Sequence, residues 1–539
     1  MRTLARGTSL LAISSTLACF NSGSDDGADE VGTETDGDDA TDTDTGDTTE
    51  TTGSDTTTDV GDSAPVFESF TIDGSTTPEA VTAAAAVALA ATVTDADGDL
   101  DRVEFELDGA IAGEVTGAGP DVGFEWIVSG AELNGGHMLR AIAWDMAGNS
   151  TMSEIIELEL DMPASGEVDA WVYDGGSSDA AYAIATDPEG TRVLLTGQSI
   201  QQGASVQRTD AVLGPSWTDK VVGDSAFGSA IVLRDNGETL VAGGWLVDMS
   251  SDSIIYRYGA DGAEIEVWAF DGNKPEGATE IVDSTLDMEA LPSGDLIVLG
   301  SYVPQSGPLM NGLANYVARI TATGDQEWLR WPSEDVAFSS PPLIYELSTA
   351  DDGGFALGGG RLVGGVARAV WARYDDAGQL VDQSTMMAGE ASVAHAVELT
   401  DAGDLYLAGQ ITIAGAARPW LGHYLADGSE DWTLDIPASE GVTAAVGVDP
   451  FGEVVTVSTE DCVVTPSRYE ECALVVRKYD GEGSLMWEVA YADEIFSGPV
   501  FALPGFDASL AFDRYGYVYV SAIVYTPAGT DWWARKLNP

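Results

Sequence analysis

From residue 66 onward the chain alternates short apolar runs with clusters of glycine, asparagine and aspartate. Between 64 and 163 the runs are Val66–Ile72, Ala86–Val93, Val103–Leu107, Gly123–Val128, His137–Ala143 and Ile155–Leu160. Asp73-Gly74, Asp97-Gly98, Asp108-Gly109 and Gly148-Asn149 punctuate them. Runs this short, with turn chemistry between them, predict β-strands, and about a hundred residues of them predict a two-sheet sandwich.

Residues 165–539 repeat a longer phrase. It comprises an apolar strand, a turn glycine, an apolar strand ending in glycine, a loop, a strand with a basic residue, a second turn, and a tryptophan. The turn glycines are Gly190, Gly237, Gly294, Gly353, Gly403, Gly452 and Gly516, spaced by 47 to 64 residues. Each interval holds four strands, the content of one β-propeller blade. The last phrase stops at Pro539 without its fourth strand, and a lone strand of the fourth type, Val168–Tyr173, precedes the first phrase. The expectation is therefore all-β: a seven-bladed propeller over 165–539, its last blade completed by the N-terminal strand so that no sheet edge is left open.

The N-terminal region is of another kind. Arg2 and Arg6 precede a short apolar stretch from Leu10 to Ala18, too short to span a bilayer and laid out like a secretory signal. Residues 22–63 hold fifteen acids and twelve threonines, with no Lys, Arg or aromatic residue. Such a segment has too little apolar surface to offset its ordering entropy, which predicts an extended, self-repelling tether over 19–63.

Charge narrows the partners. Ninety acids against 22 Lys+Arg give a formal net charge of -68, which argues against nucleic acid and anionic lipid as ligands. Of three cysteines, Cys462 and Cys472 flank a segment with Pro466 and Ser467 in its middle. Their spacing suits a disulfide at a hairpin loop and does not suit a CxxC redox or zinc motif. Asp95, Asp97, Asp99 and Asp101 alternate as clustered oxygens do around calcium, and Glu106 falls at the twelfth place of an EF-hand-type loop. Leu100, however, stands where that loop needs glycine, so a solvated turn is the competing reading.

Three resemblances add to this. Thr16-Leu17-Ala18-Cys19 resembles the lipobox of bacterial lipoproteins, with Thr16 where that family favours leucine. The resemblance implies a signal peptide over 1–18, a lipid on Cys19 and, with Phe20-Asn21 following, an outer-membrane address. Thr94–Gly109 and Leu139–Asn149 resemble bacterial immunoglobulin-like surface domains, which assigns that class to 64–163. Leu399–Gly409 and Tyr316–Trp328 resemble the delta-60 and SBBP-type propeller repeats of secreted proteins, which carry no assigned chemistry. The related quinoprotein (PQQ-like) repeat fits at Ala318, Thr323, Gly324 and Trp328, but Ile320 replaces its aspartate and no vicinal cysteine pair exists.

Reactive sets are scarce. His137, His395 and His423 form no metal motif, and no nucleophile elbow or Walker loop is visible. The bases repeated on the third strands, Arg208, Arg257, Arg319, Arg373, His423, Arg477 and Arg535, read as structural ion pairs. Trp217, Trp268, Trp328, Trp432 and Trp487 read as packing between blades. Paired acids are too common to single out a glycosidase pair. The expectation is a lipid-anchored binding or scaffolding module of the cell envelope. Its partner is an unidentified protein or glycan, it touches the membrane only through the lipid, and it has no cofactor apart from calcium. Two alternatives stay open: a hydrolase or lyase acting on polysaccharide at the channel mouth, and a structural envelope component. A tight cluster of acids with a raised-pKa carboxyl at that mouth would favour the enzyme.

Overall fold

The computed structural model describes residues 63–539 apart from short stretches in the connections, the longest being 271–280, 305–313, 333–342 and 498–507. The expected signal peptide, Cys19 and the tether up to 62 lie outside the described residues.

The first eight strands are β1 (Val66–Ile72), β2 (Ala85–Thr94), β3 (Leu100–Leu107), β4 (Ala110–Thr116), β5 (Asp121–Val128), β6 (Gly135–Asp145), β7 (Ser150–Met152) and β8 (Ile156–Leu160). They form two sheets, β1-β2-β5 and β4-β3-β6-β7, with β8 also paired to β6. In β2 and β8 buried and exposed residues alternate, as a sheet with one wet face requires. The buried sides of both sheets meet in one core that includes Phe70, Leu89, Val103, Phe105, Leu139 and Leu158. Two strands were not visible in the sequence. β4 is mostly exposed, AIAGEVT, and β7 is only three residues long.

β9 (Glu167–Tyr173) begins the second part. Antiparallel meanders of four strands then follow. They are β10 (Asp179–Thr186), β11 (Arg192–Ser199), β12 (Gly203–Asp210) and β13 (Pro215–Lys220); β14 (Ala226–Leu233), β15 (Thr239–Val247), β16 (Ser250–Tyr258) and β17 (Glu264–Phe270); and β18 (Ile281–Ala290), β19 (Leu296–Pro304), β20 (Ala314–Ile320) and β21 (Gln326–Arg330). After them come β22 (Leu343–Thr349), β23 (Phe355–Val363), β24 (Val366–Tyr374) and β25 (Leu380–Thr385); β26 (Ala391–Leu399), β27 (Leu405–Ile413), β28 (Ala416–Tyr424) and β29 (Glu430–Asp435); and β30 (Gly441–Val448), β31 (Val454–Val464), β32 (Glu470–Tyr479) and β33 (Leu485–Ser497). β34 (Ala508–Phe512), β35 (Val518–Thr526) and β36 (Gly529–Leu537) come last, and β9 is their fourth strand, with Ala534 opposite Trp171.

No sheet closes on itself. What returns is the chain of contacts between first strands: β10 touches β14, each first strand touches the next, and β34 touches β10 again. Between the meanders lie apolar seams, such as the one joining Leu240 and Ala242 to Val298 and Tyr316.

The turn glycines at 190, 237, 294, 353, 403, 452 and 516 all have φ between 63° and 90°, the left-handed region that a β-carbon disfavours. The glycine near the end of the second strand has another cause. First strands carry a bulge, as between Ala394 and Ala396, and the residue opposite has no room for a side chain. A β-carbon on Gly409 would lie 2.1 Å from the Val393 carbonyl oxygen, and one on Gly197 would lie 1.9 Å from that of Ala180.

Candidate functional site

The repeated bases are consumed in pairs. Arg257 bonds Glu238 at 2.6 Å, Arg319 bonds Asp295 at 2.8 Å, and Arg535 bonds Glu167 at 2.7 Å and Glu494 at 2.8 Å. Arg373 pairs with Asp382, Arg477 with Glu460 and Glu488, and His423 with Asp431 at 3.0 Å. The Arg208 and Trp217 side chains lie outside the described residues. Tryptophans of one meander cover the second turn of the next. A β-carbon on Gly324 would come within 2.5 Å of Trp268, and one on Gly483 within 3.2 Å of Trp432. Both repeated features are thus spent on holding the sheets together.

Among the described residues, a concavity lies where the first strands converge. It measures about 310 Å³. One wall carries Glu289 from β18, Glu346 from β22 and Glu398 from β26; the facing strands β30 and β34 contribute Val446, Val448, Leu510 and Phe512. Asp351 and Asp401 stand in the turns at the rim. A first strand is an edge strand, so one row of its N–H groups needs partners. The acids supply some of these across the seams. Asp287 accepts the Leu347 N–H at 3.0 Å, Glu289 the Thr349 N–H at 2.8 Å, and Glu346 the Val397 N–H at 3.2 Å. Glu398 accepts the Ser348 hydroxyl at 3.1 Å.

Burial pushes the Glu346 carboxyl well above its ordinary pKa, and the charges of Asp287, Glu398 and Glu289 push it further in the same direction. Burial likewise raises Asp287. On the other wall Asp513 is pushed up to about 6 by burial, with Lys536 and the Tyr519 hydroxyl pulling the opposite way. Asp449 is paired with the buried Lys478 at 2.9 Å. Arg514, the basic residue of the lining, is held by Glu125 of β5 at 2.9 Å and by Glu189 at 3.0 Å, which ties the first part of the chain to the cavity rim.

The alternating aspartates come together only in part. Ligand oxygens of Asp95, Asp97 and Asp99 lie within 4.8 Å of one another. Asp101 turns away to Arg102 at 2.8 Å, and Glu106 pairs with Arg140 at 2.7 Å, so neither joins them. Asp97 also accepts the Ser63 N–H at 2.6 Å. Cys462 and Cys472 form the expected disulfide, between β31 and β32. Among the histidines, His137 bonds Asp108 at 2.7 Å, and His395 is stacked on Tyr345 at 5.5 Å with its pKa lowered to about 4 by burial.

The acid wall was not picked out from the sequence, yet a signal was present. Asp287, Glu289, Glu346 and Glu398 lie seven or five residues before their turn glycines, on an inner strand where the other phrases carry Ala, Ser, Val or Gly.

No family model matches the chain, and no curated protein matches it. Solved structures do. A quinoprotein alcohol dehydrogenase-like protein of Bacteroides thetaiotaomicron aligns at 10% identity and TM-score 0.35, over 80% of this chain and 98% of that one. Sqt1 of Chaetomium thermophilum aligns at 12% and 0.39, over 67% and 83%. An α-L-arabinanase of Penicillium chrysogenum aligns at 11% and 0.35, over 70% and 99%. Each of these similarities is distant, with identity below 25% and TM-score below 0.5, and none bears on chemistry.

Proposed function

We propose that this chain is an exported, lipid-anchored binding module of the cell envelope. In this reading 165–539 is a seven-bladed β-propeller, supported by the return of first-strand contacts from β34 to β10 and by β9 completing the last meander. Residues 64–163 are an immunoglobulin-like domain, and the acidic segment 19–63 holds both off an outer membrane to which Cys19 is lipidated. One observation carries the binding role. Among the described residues the charged and aromatic groups repeated along the chain are committed to ion pairs and packing, and the axial cavity offers a concave polar surface apart from them. The partner is a protein or glycan that tolerates an acidic surface, not nucleic acid. Asp95, Asp97 and Asp99 have the oxygen donors that suit calcium, which would stiffen the Asp95–Asp99 turn beside the tether.

The test is a pull-down from envelope protein and glycan fractions, with and without calcium, using the purified protein. One enriched partner, lost on competition with soluble protein, supports the reading. Absence of any partner in either condition sinks it. Mass spectrometry of the mature N-terminus tests lipidation directly, with Cys19→Ala as the control.

A second reading rests on Glu346. A carboxyl whose pKa is raised by burial and by neighbouring acids is one member of the pairing used in glycoside hydrolysis. Release of reducing ends from a polysaccharide panel, abolished in Glu346→Gln, would replace binding with catalysis. The binding reading leads because Glu346, Glu289 and Glu398 each already serve the neighbouring strand.

A further inference from the structure

The two-sheet domain β1–β8 and the meanders meet at a small corner. Arg514, in the turn between β34 and β35, sends its guanidinium across to β5. Its Nη1 bonds Glu125 Oε2 at 2.9 Å, and its Nη2 bonds Oε1 at 3.2 Å. Its Nε lies 3.0 Å from Glu189, in the turn between β10 and β11. The Tyr515 hydroxyl also donates to Glu189, at 2.8 Å. The Arg514 N–H donates to the Pro188 carbonyl at 2.8 Å, so the two turns present these groups together. Beside them Ala84 packs with Tyr515 and Trp171 against the seam of Tyr519 and Trp532. Among the described residues no strand of the two-sheet domain packs along a strand of the meanders. A contact this small does not by itself immobilise one domain on another.

The covalent link is short and pinned at both ends. Met162 sits in the two-sheet core, and Asn134 takes its N–H at 2.6 Å and its carbonyl at 2.7 Å. The Gly166 carbonyl accepts the Asn538 N–H at 3.0 Å. Between these pins Pro163, Ala164 and Ser165 are exposed and belong to no strand. Three such residues permit a swing without separation, which is the work of a hinge.

Charge makes Arg514 the latch. The bases of residues 64–163 are Arg102 and Arg140, and both pair inside their own domain. Without Arg514, Glu125 and Glu189 would face each other as like charges. The carboxylates it holds are about half-exposed, at 51% and 48%, and ion pairs so wetted are weak. The closed form is thus favoured by a margin small enough for an open form to be populated. Arg514 and Pro188 also line the axial cavity, so the latch lies on its rim.

We propose that the two-sheet domain is a hinged cover at the cavity rim, latched through Arg514 and Glu125, which swings about residues 163–165 and on opening bares Arg514 and Pro188. The device does not depend on what the cavity binds. Ser63 is bonded to Asp97 of the same domain, so a force on the chain ahead of Ser63 bears first on the cover.

The experiment is small-angle X-ray scattering of the purified full chain, in which the segment ahead of residue 63 is the same in every sample. We expect Arg514→Glu to enlarge the radius of gyration and Glu125→Arg/Arg514→Glu, which again places one base between two acids, to restore it. Inserting Gly-Ser-Gly between Ala164 and Ser165 should enlarge Arg514→Glu further and leave the latched parent unchanged. As a local readout, phenylglyoxal should modify Arg514 about fivefold faster in Glu125→Gln than in the parent, the factor that a half-exposed ion pair is worth. Gel filtration and far-ultraviolet circular dichroism establish that the variants are folded. If Arg514→Glu is not, Glu125→Gln, which leaves Arg514 in place, carries both readouts. The inference is overturned if the folded opening variant keeps the parent radius, if Arg514 in Glu125→Gln reacts no faster, if the charge swap stays as large as Arg514→Glu, or if the insertion enlarges the parent as much as the variant.

Discussion

Replacing Glu346 by glutamine should stabilise the protein, and only above acid pH. The side chain is half-buried, accepts one N–H from Val397, and feels the charges of Asp287, Glu398 and Glu289. Its folded-state pKa therefore lies above that of the unfolded chain. For an acid shifted upward, the folded state holds the proton more tightly, so stability is complete below the unfolded pKa and is lost as pH rises through the folded one. Each pH unit of elevation costs about 1.4 kcal/mol once it is passed. Glutamine keeps an oxygen for the Val397 N–H, removes the charge, and turns a donor toward the neighbouring acids. We expect Glu346→Gln to be more stable than the parent at pH 8, by about 1.4 kcal/mol for each pH unit by which the fold raises the Glu346 carboxyl, and the advantage to vanish as pH falls toward 4. Urea unfolding of both proteins from pH 4 to 8.5, compared through midpoints at unchanged slope, reads this difference directly and cancels the titration of the chain's other acids. A variant less stable than the parent at pH 8, or a difference that does not change with pH, would refute the reasoning.

Gly409→Ala forces a β-carbon to 2.1 Å from the Val393 carbonyl oxygen and should cost about 2–3 kcal/mol, measured by the same unfolding assay; a neutral effect would mean that the bulge is absent. Reducing Cys462–Cys472, or replacing both by serine, reopens a loop ten residues in separation and should cost about 2–3 kcal/mol in the chain-entropy account. Arg514→Ala should change global stability by less than about 1 kcal/mol, because its ion pairs with Glu125 and Glu189 are half-exposed, yet it should speed amide exchange on both sides of that contact. Asp97→Asn should abolish any calcium-induced protection of the Asp95–Asp99 turn from proteolysis.

The sequence alone determined what is local and repeated. Turn glycines at fixed places in the phrase require left-handed backbone wherever the strand reverses, so the meanders and their order could be read directly. The missing fourth strand after Leu537 and the spare strand at Val168–Tyr173 implied their pairing, because an unpaired edge in both places would be costly. The third-strand arginines could be read as ion pairs, since a base repeated in every phrase answers a need of every phrase. Bulges were not legible: Gly409 is glycine because of the Val393 carbonyl, and nothing in the sequence around Gly409 says that the first strand carries an extra residue. β4 escaped because an exposed strand has no apolar alternation to show. Asp101 looked like its neighbours but is taken by Arg102, a choice of rotamer that spacing does not encode. The acid wall depended most on tertiary structure. Glu289, Glu346 and Glu398 come from separate meanders, and in a chain with ninety acids none stood out. Only the convergence of first strands gathers them on one cavity wall, withdraws them partly from water, and makes the neighbouring charges felt at Glu346, so the property that distinguishes Glu346 belongs to the assembled fold and not to its place in the sequence.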